Sequence, residues 1–161
     1  MIASESLKVM ISQKQLFMPI VIFILVAFVG LADAAYLTAS HYMGVHLSCS
    51  TISGCNAVAL SEYSTIGPFP VALPGAIFYL FMLISGMAWM YDEKPAILKI
   101  LPIFTIPAFL FSMWLVFVML FRIEALCLYC LISAGSTTLL MVLSLWFYFK
   151  LKSIERDQEE G

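Results

Sequence analysis

Charge is the scarcest property of this sequence. Only 11% of its 161 residues are Asp, Glu, Lys or Arg, against 63% hydrophobic, whereas a soluble domain is about a quarter charged and about half apolar. That deficit excludes a water-soluble globular domain and leaves a membrane protein. The formal net charge is -2, so there is no basic surplus and no sign of a nucleic-acid partner. Long polar stretches are missing too, which leaves no room for a large extramembrane domain. Histidine occurs twice and cysteine four times, and any redox or metal chemistry has to be built from those few side chains.

What is present is apolar sequence in lengths that match a bilayer, each crossing needing ~20 residues. After a polar start with Lys8 and Lys14, residues 16–37 run almost unbroken, which predicts a first helical span of about 33 Å. The same stretch also reads as a signal peptide, with Ala32-Asp33-Ala34 as its cleavage site; its length favours a retained span. Residues 70–90 form a second span opened by a proline, where a missing N–H costs least. A third covers 97–121, with Pro102 and Pro107 as expected kinks, and a fourth covers 126–149. The tail, 150–161, is charged and expected to fray. The fold class is an all-α membrane protein, one domain over 1–161, built as a four-transmembrane-helix bundle.

Between the first two spans, residues 40–69 are different in kind. They hold His41, His46, Cys49, Cys55 and Glu62 among many small and hydroxyl residues, and no Lys or Arg. This is an external loop. Residues 56–63 could form two helical turns with Ala57, Val58 and Leu60 against the bilayer and Glu62 turned away, after which Gly67, Pro68 and Pro70 break regular structure. The two histidines read as solvated loop residues. Positively charged loops stay in the cytoplasm. Lys8, Lys14, Lys94, Lys99, Lys150, Lys152 and Arg156 fall on one side of four spans, and Arg122 alone on the other. Both termini are therefore expected in the cytoplasm and all four cysteines on the oxidising, extracytoplasmic face, where disulfides persist.

Cys127-Leu128-Tyr129-Cys130 opens the last span. In a helix, residues three apart share a face, as a reversibly closing dithiol requires, and a helix start favours the reactive thiolate. The plain alternative is that both are small core residues. Cys49 and Cys55 lie in the Ser/Gly-rich loop on the same face, as a partner pair for exchange or as a static staple; four thiolates around zinc fit the spacing poorly, and no metal site is expected. A dithiol at the membrane boundary can pass electrons to a lipid-soluble quinone. Phe78, Tyr79, Met82, Phe111, Met113 and Trp114 are candidates to line its site, though such residues at helical spacing also serve as ordinary bundle core. Asp33, about 6 Å inside the first span, is a candidate proton carrier or an interfacial carboxyl bonded to the loop. Arg122 and Glu124 read as interfacial anchors or as charges that tune the thiols.

These residues together resemble the vitamin K epoxide reductase family, and in particular its short prokaryotic members without a fused thioredoxin-like domain. The likeness rests on Tyr36-Leu37-Thr38, the Cys49-x5-Cys55 loop, Ser61 followed by Tyr63, the run from Gly67 through Pro70-Val71-Ala72-Leu73 and Gly75-Ala76 to Phe78-Tyr79, and Cys127-x-x-Cys130. The resemblance implies a bundle around a quinone (ubiquinone or menaquinone, vitamin K-like), with Cys127 and Cys130 as the active pair and Cys49 and Cys55 as the shuttle pair. It implies that Cys130 faces the quinone, that Cys127 exchanges with the loop, and that Ser61, whose plain role would be a turn cap, lies near the quinone. Vertebrate members carry Thr-Tyr-Ala where this chain has Ser133-Ala134-Gly135, and an asparagine where it has Val71. By that comparison, hydrogen-bonding groups are missing here.

The resulting expectation is a quinone-dependent thiol oxidoreductase of a prokaryotic inner membrane. It would reoxidise a separate thioredoxin-fold (DsbA-like) protein, supporting disulfide formation in exported proteins, and draw on the membrane quinone pool. Alternatives are vitamin K quinone or epoxide reduction proper, a quinone-linked oxidase of the DsbB type, whose cysteine motifs come in the opposite order, and a metal transporter holding a soft ion on its cysteines.

Overall fold

The structure, a computed structural model, describes residues 2–44, 55–59, 61–92 and 94–159, with backbone alone at 2–15, 56, 59, 62, 66 and 157–159. Helix α1 is Ile2–Met43 and a short α2 is Cys55–Ala59; a 3-10 turn at Glu62–Ser64 leads to strands β1, Thr65–Ile66, and β2, Phe69–Pro70. Helix α3 is Ala72–Asp92, α4 is Pro95–Val118 continued by a π turn at Met119–Ile123, and α5 is Leu128–Glu159. Among the described residues four helices are long and apolar enough to cross a bilayer, over Leu16–Met43, Ala72–Asp92, Pro95–Ile123 and Leu128–Arg156. In hydrocarbon every backbone N–H and C=O needs an internal partner, which continuous helices supply. The protein is an all-α, four-helix membrane protein.

The helices outrun the stretches expected from hydropathy. The first continues past residue 37 to Met43, so His41 is helical rather than part of a loop. The last runs to Glu159 where a frayed tail was expected. An ion pair between Lys99 of α4 and Glu155 of α5 holds this extension against its neighbour. Gly67 and Pro68 do not end regular structure but turn a minimal antiparallel hairpin, with Thr65 opposite Pro70 and Ile66 opposite Phe69. Gly67 has φ +63, the positive value that a two-residue hairpin loop demands. Pro70 is tolerated because the ladder has no third strand to need its N–H.

The core follows one stripe per helix: Leu16, Ile20, Phe23 and Ala27 on α1, Tyr79, Met82 and Trp89 on α3, Leu98 and Leu101 on α4, Leu140 and Phe147 on α5. Most other Leu, Ile, Val and Phe side chains of the spans face outward, as lipid contact permits and water would not. Between the two prolines of α4, the buried Thr105 hydroxyl lies 2.7 Å from that of Ser144 on α5, a polar clasp between helices otherwise held by packing.

One close approach sets the spacing of α1 and α3. A Cβ added to Gly30 would stand 2.3 Å from Cε1 of Tyr79, so only glycine lets that ring lie on the backbone of α1. Replacing Gly30 by alanine is expected to destabilise the protein by about 1–3 kcal/mol through overpacking. Gly135→Ala, with nothing within 4 Å of the new methyl, should be neutral or stabilising by about 0.5–1 kcal/mol through helix propensity. Thermal unfolding of the two variants in detergent checks the contrast.

Candidate active site

All described cysteines gather at one end of the bundle, away from the Lys99–Glu155 pair. Helix α5 begins at Leu128, so Cys127 stands one residue ahead of the helix rather than within its first turn. Its carbonyl accepts the Leu131 N–H at 3.1 Å and its Sγ accepts the Cys130 N–H at 3.3 Å. That is the N-cap role, in which a side chain satisfies the N–H three residues on, here filled by sulfur. The same donor, with the positive end of the helix dipole behind it, stabilises charge on Cys127 when it ionises. The Cys127 N–H in turn points at Sδ of Met119, 3.4 Å away. Met119 sits in the π turn, which ends at Glu124 in the left-handed region, φ 52; this reversal brings the chain back to start α5 beside it.

Cys55, Met119 and Cys127 are all buried and form one cluster, against which Leu37, Val58, Val116, Tyr129 and Cys130 pack. Cys55 is disulfide-bonded, whereas Cys127 and Cys130 are free thiols. The helix starting at Cys55 thus delivers a loop cysteine to the inner pair. Cys49, its expected partner, lies outside the described residues, as do His46 and Leu60 and the side chain of Glu62. Val58, expected against the bilayer, instead turns inward onto the cysteine cluster, because the five-residue α2 leans on the bundle rather than on lipid. Ala57 is exposed.

Cys127 and Cys130 open on a cavity of about 550 Å³ bounded by α1, α3, α4 and the loop. Its walls are largely apolar, with Leu37, Pro70, Phe78, Phe111, Leu115 and Val116 among them, and its volume lies in the ordinary range for a small-molecule site. Of the residues expected to line such a site, Ser61, Phe78, Tyr79 and Phe111 do so. Trp114, Met113 and Met82 do not. Trp114 is half exposed and stacks on Phe111 with ring centroids 5.8 Å apart, while the cavity wall of α4 runs through Ala108, Phe111, Ser112, Leu115 and Val116. Met113 is also outward, and Met82 is fully buried in the core. His41 is exposed, as expected, and stands at the cavity wall. Arg122 and Glu124 are exposed.

The cavity floor is polar, which the sequence comparison with vertebrate enzymes did not lead one to expect. The Tyr79 hydroxyl donates to the Ser133 carbonyl at 2.7 Å and lies 3.0 Å from Ser133 Oγ and 2.7 Å from Thr137 Oγ1. Thr137 Oγ1 donates to the Ser133 carbonyl at 3.0 Å. With Tyr79 and Thr137 both directed at that carbonyl, the Ser133 hydroxyl proton is the one left for a ligand or for the Tyr79 oxygen. Cys130, Ser133 and Thr137 are spaced three and four apart, a single stripe of α5, and that spacing was the available signal for two residues the sequence reading passed over. Ser61 Oγ donates to the Val58 carbonyl at 2.7 Å, so toward the cavity it offers lone pairs. It precedes the Glu62 turn but makes no side-chain cap to it.

Fold and site together define a helical membrane oxidoreductase, with a dithiol capping one helix and facing an apolar cavity. The sequence model of the vitamin K epoxide reductase family matches residues 21–145, from the first span to the middle of the last, and the chain belongs to that family, one of quinone-linked redox enzymes. No curated protein matches it at a significant level.

Removing the Tyr79 hydroxyl tests the floor. Tyr79→Phe should cost about 1 kcal/mol, the net worth of an ordinary hydrogen bond, because Thr137 keeps its bond to Ser133. Thermal unfolding measures the loss.

Proposed function

We propose that this chain is a quinone-dependent thiol-disulfide oxidoreductase that reoxidises a separate extracytoplasmic thioredoxin-fold protein and so supports disulfide formation in exported proteins. The observation that carries the reading is the packing of Cys55 into one buried cluster with Cys127, while Cys127 and Cys130 face the cavity. An incoming dithiol reduces the loop pair, Cys49 and Cys55; the loop pair then reduces the Cys127–Cys130 disulfide by thiol-disulfide exchange. Cys127 takes the attack. It is the sulfur packed beside Cys55, and its N-cap bond stabilises the thiolate it becomes on release. Cys130 is left facing the cavity.

The cavity fits a quinone in volume, in apolar walls and in a polar floor at one end. Phe78 and Phe111 would bracket a flat ring, and Ser133, beside Tyr79, would supply a hydrogen bond to a carbonyl oxygen. A quinone bound there supplies a sink for two electrons and two protons. The residues of the chain hold the ring, keep water from the thiols and present Cys130 to it.

The reading also places the protein in a prokaryotic inner membrane. The cysteines lie at the end of the bundle away from Lys94, Lys99, Lys150, Lys152 and Arg156, and the rule that cationic segments stay cytoplasmic then puts both termini inside and the cysteines outside.

Quinone absorbance, followed with purified protein, a quinone and a reduced thioredoxin-fold partner, tests the assignment. Cys130→Ser should abolish quinone reduction. Cys55→Ser should lose turnover driven by the protein partner yet keep turnover driven by a small dithiol that reaches the inner pair directly. Normal turnover by Cys130→Ser would sink the reading.

A further inference from the structure

Among the described residues, Asp33 is the one charged side chain drawn into the membrane part of the bundle that the functional reading leaves unused. It is 8% exposed, and its Oδ2 is buried without a hydrogen-bond partner among the described residues. Such a group is costly to bury and marks a functional position inside a membrane by default.

Its place on α1 is specific. Gly30, one turn before it, carries the Tyr79 ring; Leu37 and Ser40, one and two turns after it, line the cavity. Asp33 therefore sits between the level of the Tyr79 contact and that of Leu37, which packs on the cluster of Cys55, Met119 and Cys127 together with Tyr129 and Cys130. Among the described residues, Tyr79 on α3 and Cys127, Tyr129 and Cys130 at the start of α5 are the titratable groups of those elements at this level. On its own helix Tyr36 follows, stacked on Tyr129 at 5.2 Å, with His41 two turns on; α4 sends none of its charged side chains to this level, Lys99 being paired at the opposite end and Arg122 exposed.

We propose that Asp33 is the general acid–base group of the inner cysteine pair, protonating the sulfur that leaves when the Cys127–Cys130 disulfide is opened. The inference rests on the reading of that pair as redox-active. A thiolate from the reductant bonds to Cys127 Sγ, the Cys127–Cys130 bond breaks, and its electron pair stays on Cys130 Sγ, which takes the proton of the Asp33 carboxyl. The second thiol of the reductant gives its proton to the Asp33 carboxylate and attacks the mixed disulfide. The reductant leaves as its own disulfide, Cys127 as a thiolate held by the Cys130 N–H, Cys130 as a thiol and Asp33 with its proton restored. An apolar pocket makes an unprotonated leaving sulfur expensive, which is the reason the chain needs an acid at this depth.

The test needs no quinone. In a Cys49→Ser/Cys55→Ser background, so that only the inner pair exchanges, the rate at which dithiothreitol opens the Cys127–Cys130 disulfide is followed by differential alkylation and mass spectrometry across pH. Asp33→Asn should slow opening by about 100-fold near neutral pH, and Asp33→Glu should restore most of the rate. The wild-type rate should rise as dithiothreitol ionises and then fall as Asp33 loses its proton; Asp33→Asn should lose the falling limb. A rate for Asp33→Asn within about twofold of wild type overturns the proposal, as does a wild-type profile that tracks dithiothreitol ionisation alone, a result available even if the variant fails to fold. Failure of the wild-type pair to form a disulfide at all would instead overturn the redox reading on which the proposal stands.

Discussion

Tyr79 is the contact on which the arrangement of this bundle depends. Its ring occupies the gap left by Gly30 on α1, it belongs to α3, and its hydroxyl is fastened to Ser133 and Thr137 on α5. Three helices are thus pinned at one level, with an interaction that is apolar on one side and hydrogen-bonded on the other. In hydrocarbon no hydrophobic force distinguishes one apolar helix face from another, so close packing at a glycine and a few hydroxyl bonds decide which faces meet. Below this level the bundle closes into an ordinary core; above it the helices stand apart and enclose the cavity.

The cysteines are placed by what lies above that pin. The π turn and the left-handed Glu124 return the chain so that α5 starts under Met119, and Cys127 becomes the cap of the new helix. One sulfur then satisfies a backbone donor and stays poised to ionise, while the other, three residues on, faces the cavity. The loop contributes Cys55 through a five-residue helix that buries itself against the same spot. Loop and cavity therefore meet at a single dithiol, with a carboxyl at the level of the floor. On the proposed function the arrangement separates access, with a protein partner at the loop side and a lipid-soluble one at the cavity.

A good part of this was legible along the chain. Runs of apolar residues long enough to cross a bilayer reveal themselves locally, and all four spans were visible for that reason, though their ends were not: Met43 and Glu159 extend helices into polar sequence, where hydropathy has no signal but helix propensity and the Lys99–Glu155 pair do. Cys127-x-x-Cys130 was visible by spacing, Ser61, Phe78 and Tyr79 through the family resemblance, and Phe111 as an aromatic of the third span. Trp114 was misplaced onto the cavity because aromatic character marks a membrane helix on all its faces alike. Ser133 and Thr137 were passed over because a comparison by residue type at one segment hid a hydroxyl stripe spread over two turns.

The sequence by itself determined the number of membrane-spanning helices, the Cys127-x-x-Cys130 spacing and the family, because each is written in neighbouring residues. Only the tertiary structure decided that Cys127 caps its helix, that Val58 faces inward, that Trp114 faces out and that the Tyr79 hydroxyl reaches residues 54 and 58 positions away. Those choices depend on which side of each helix meets which neighbour. In a chain whose helices are apolar all round, no local pattern records that rotation; it is set by the few places, Gly30 first among them, where two backbones or a ring and a backbone come close.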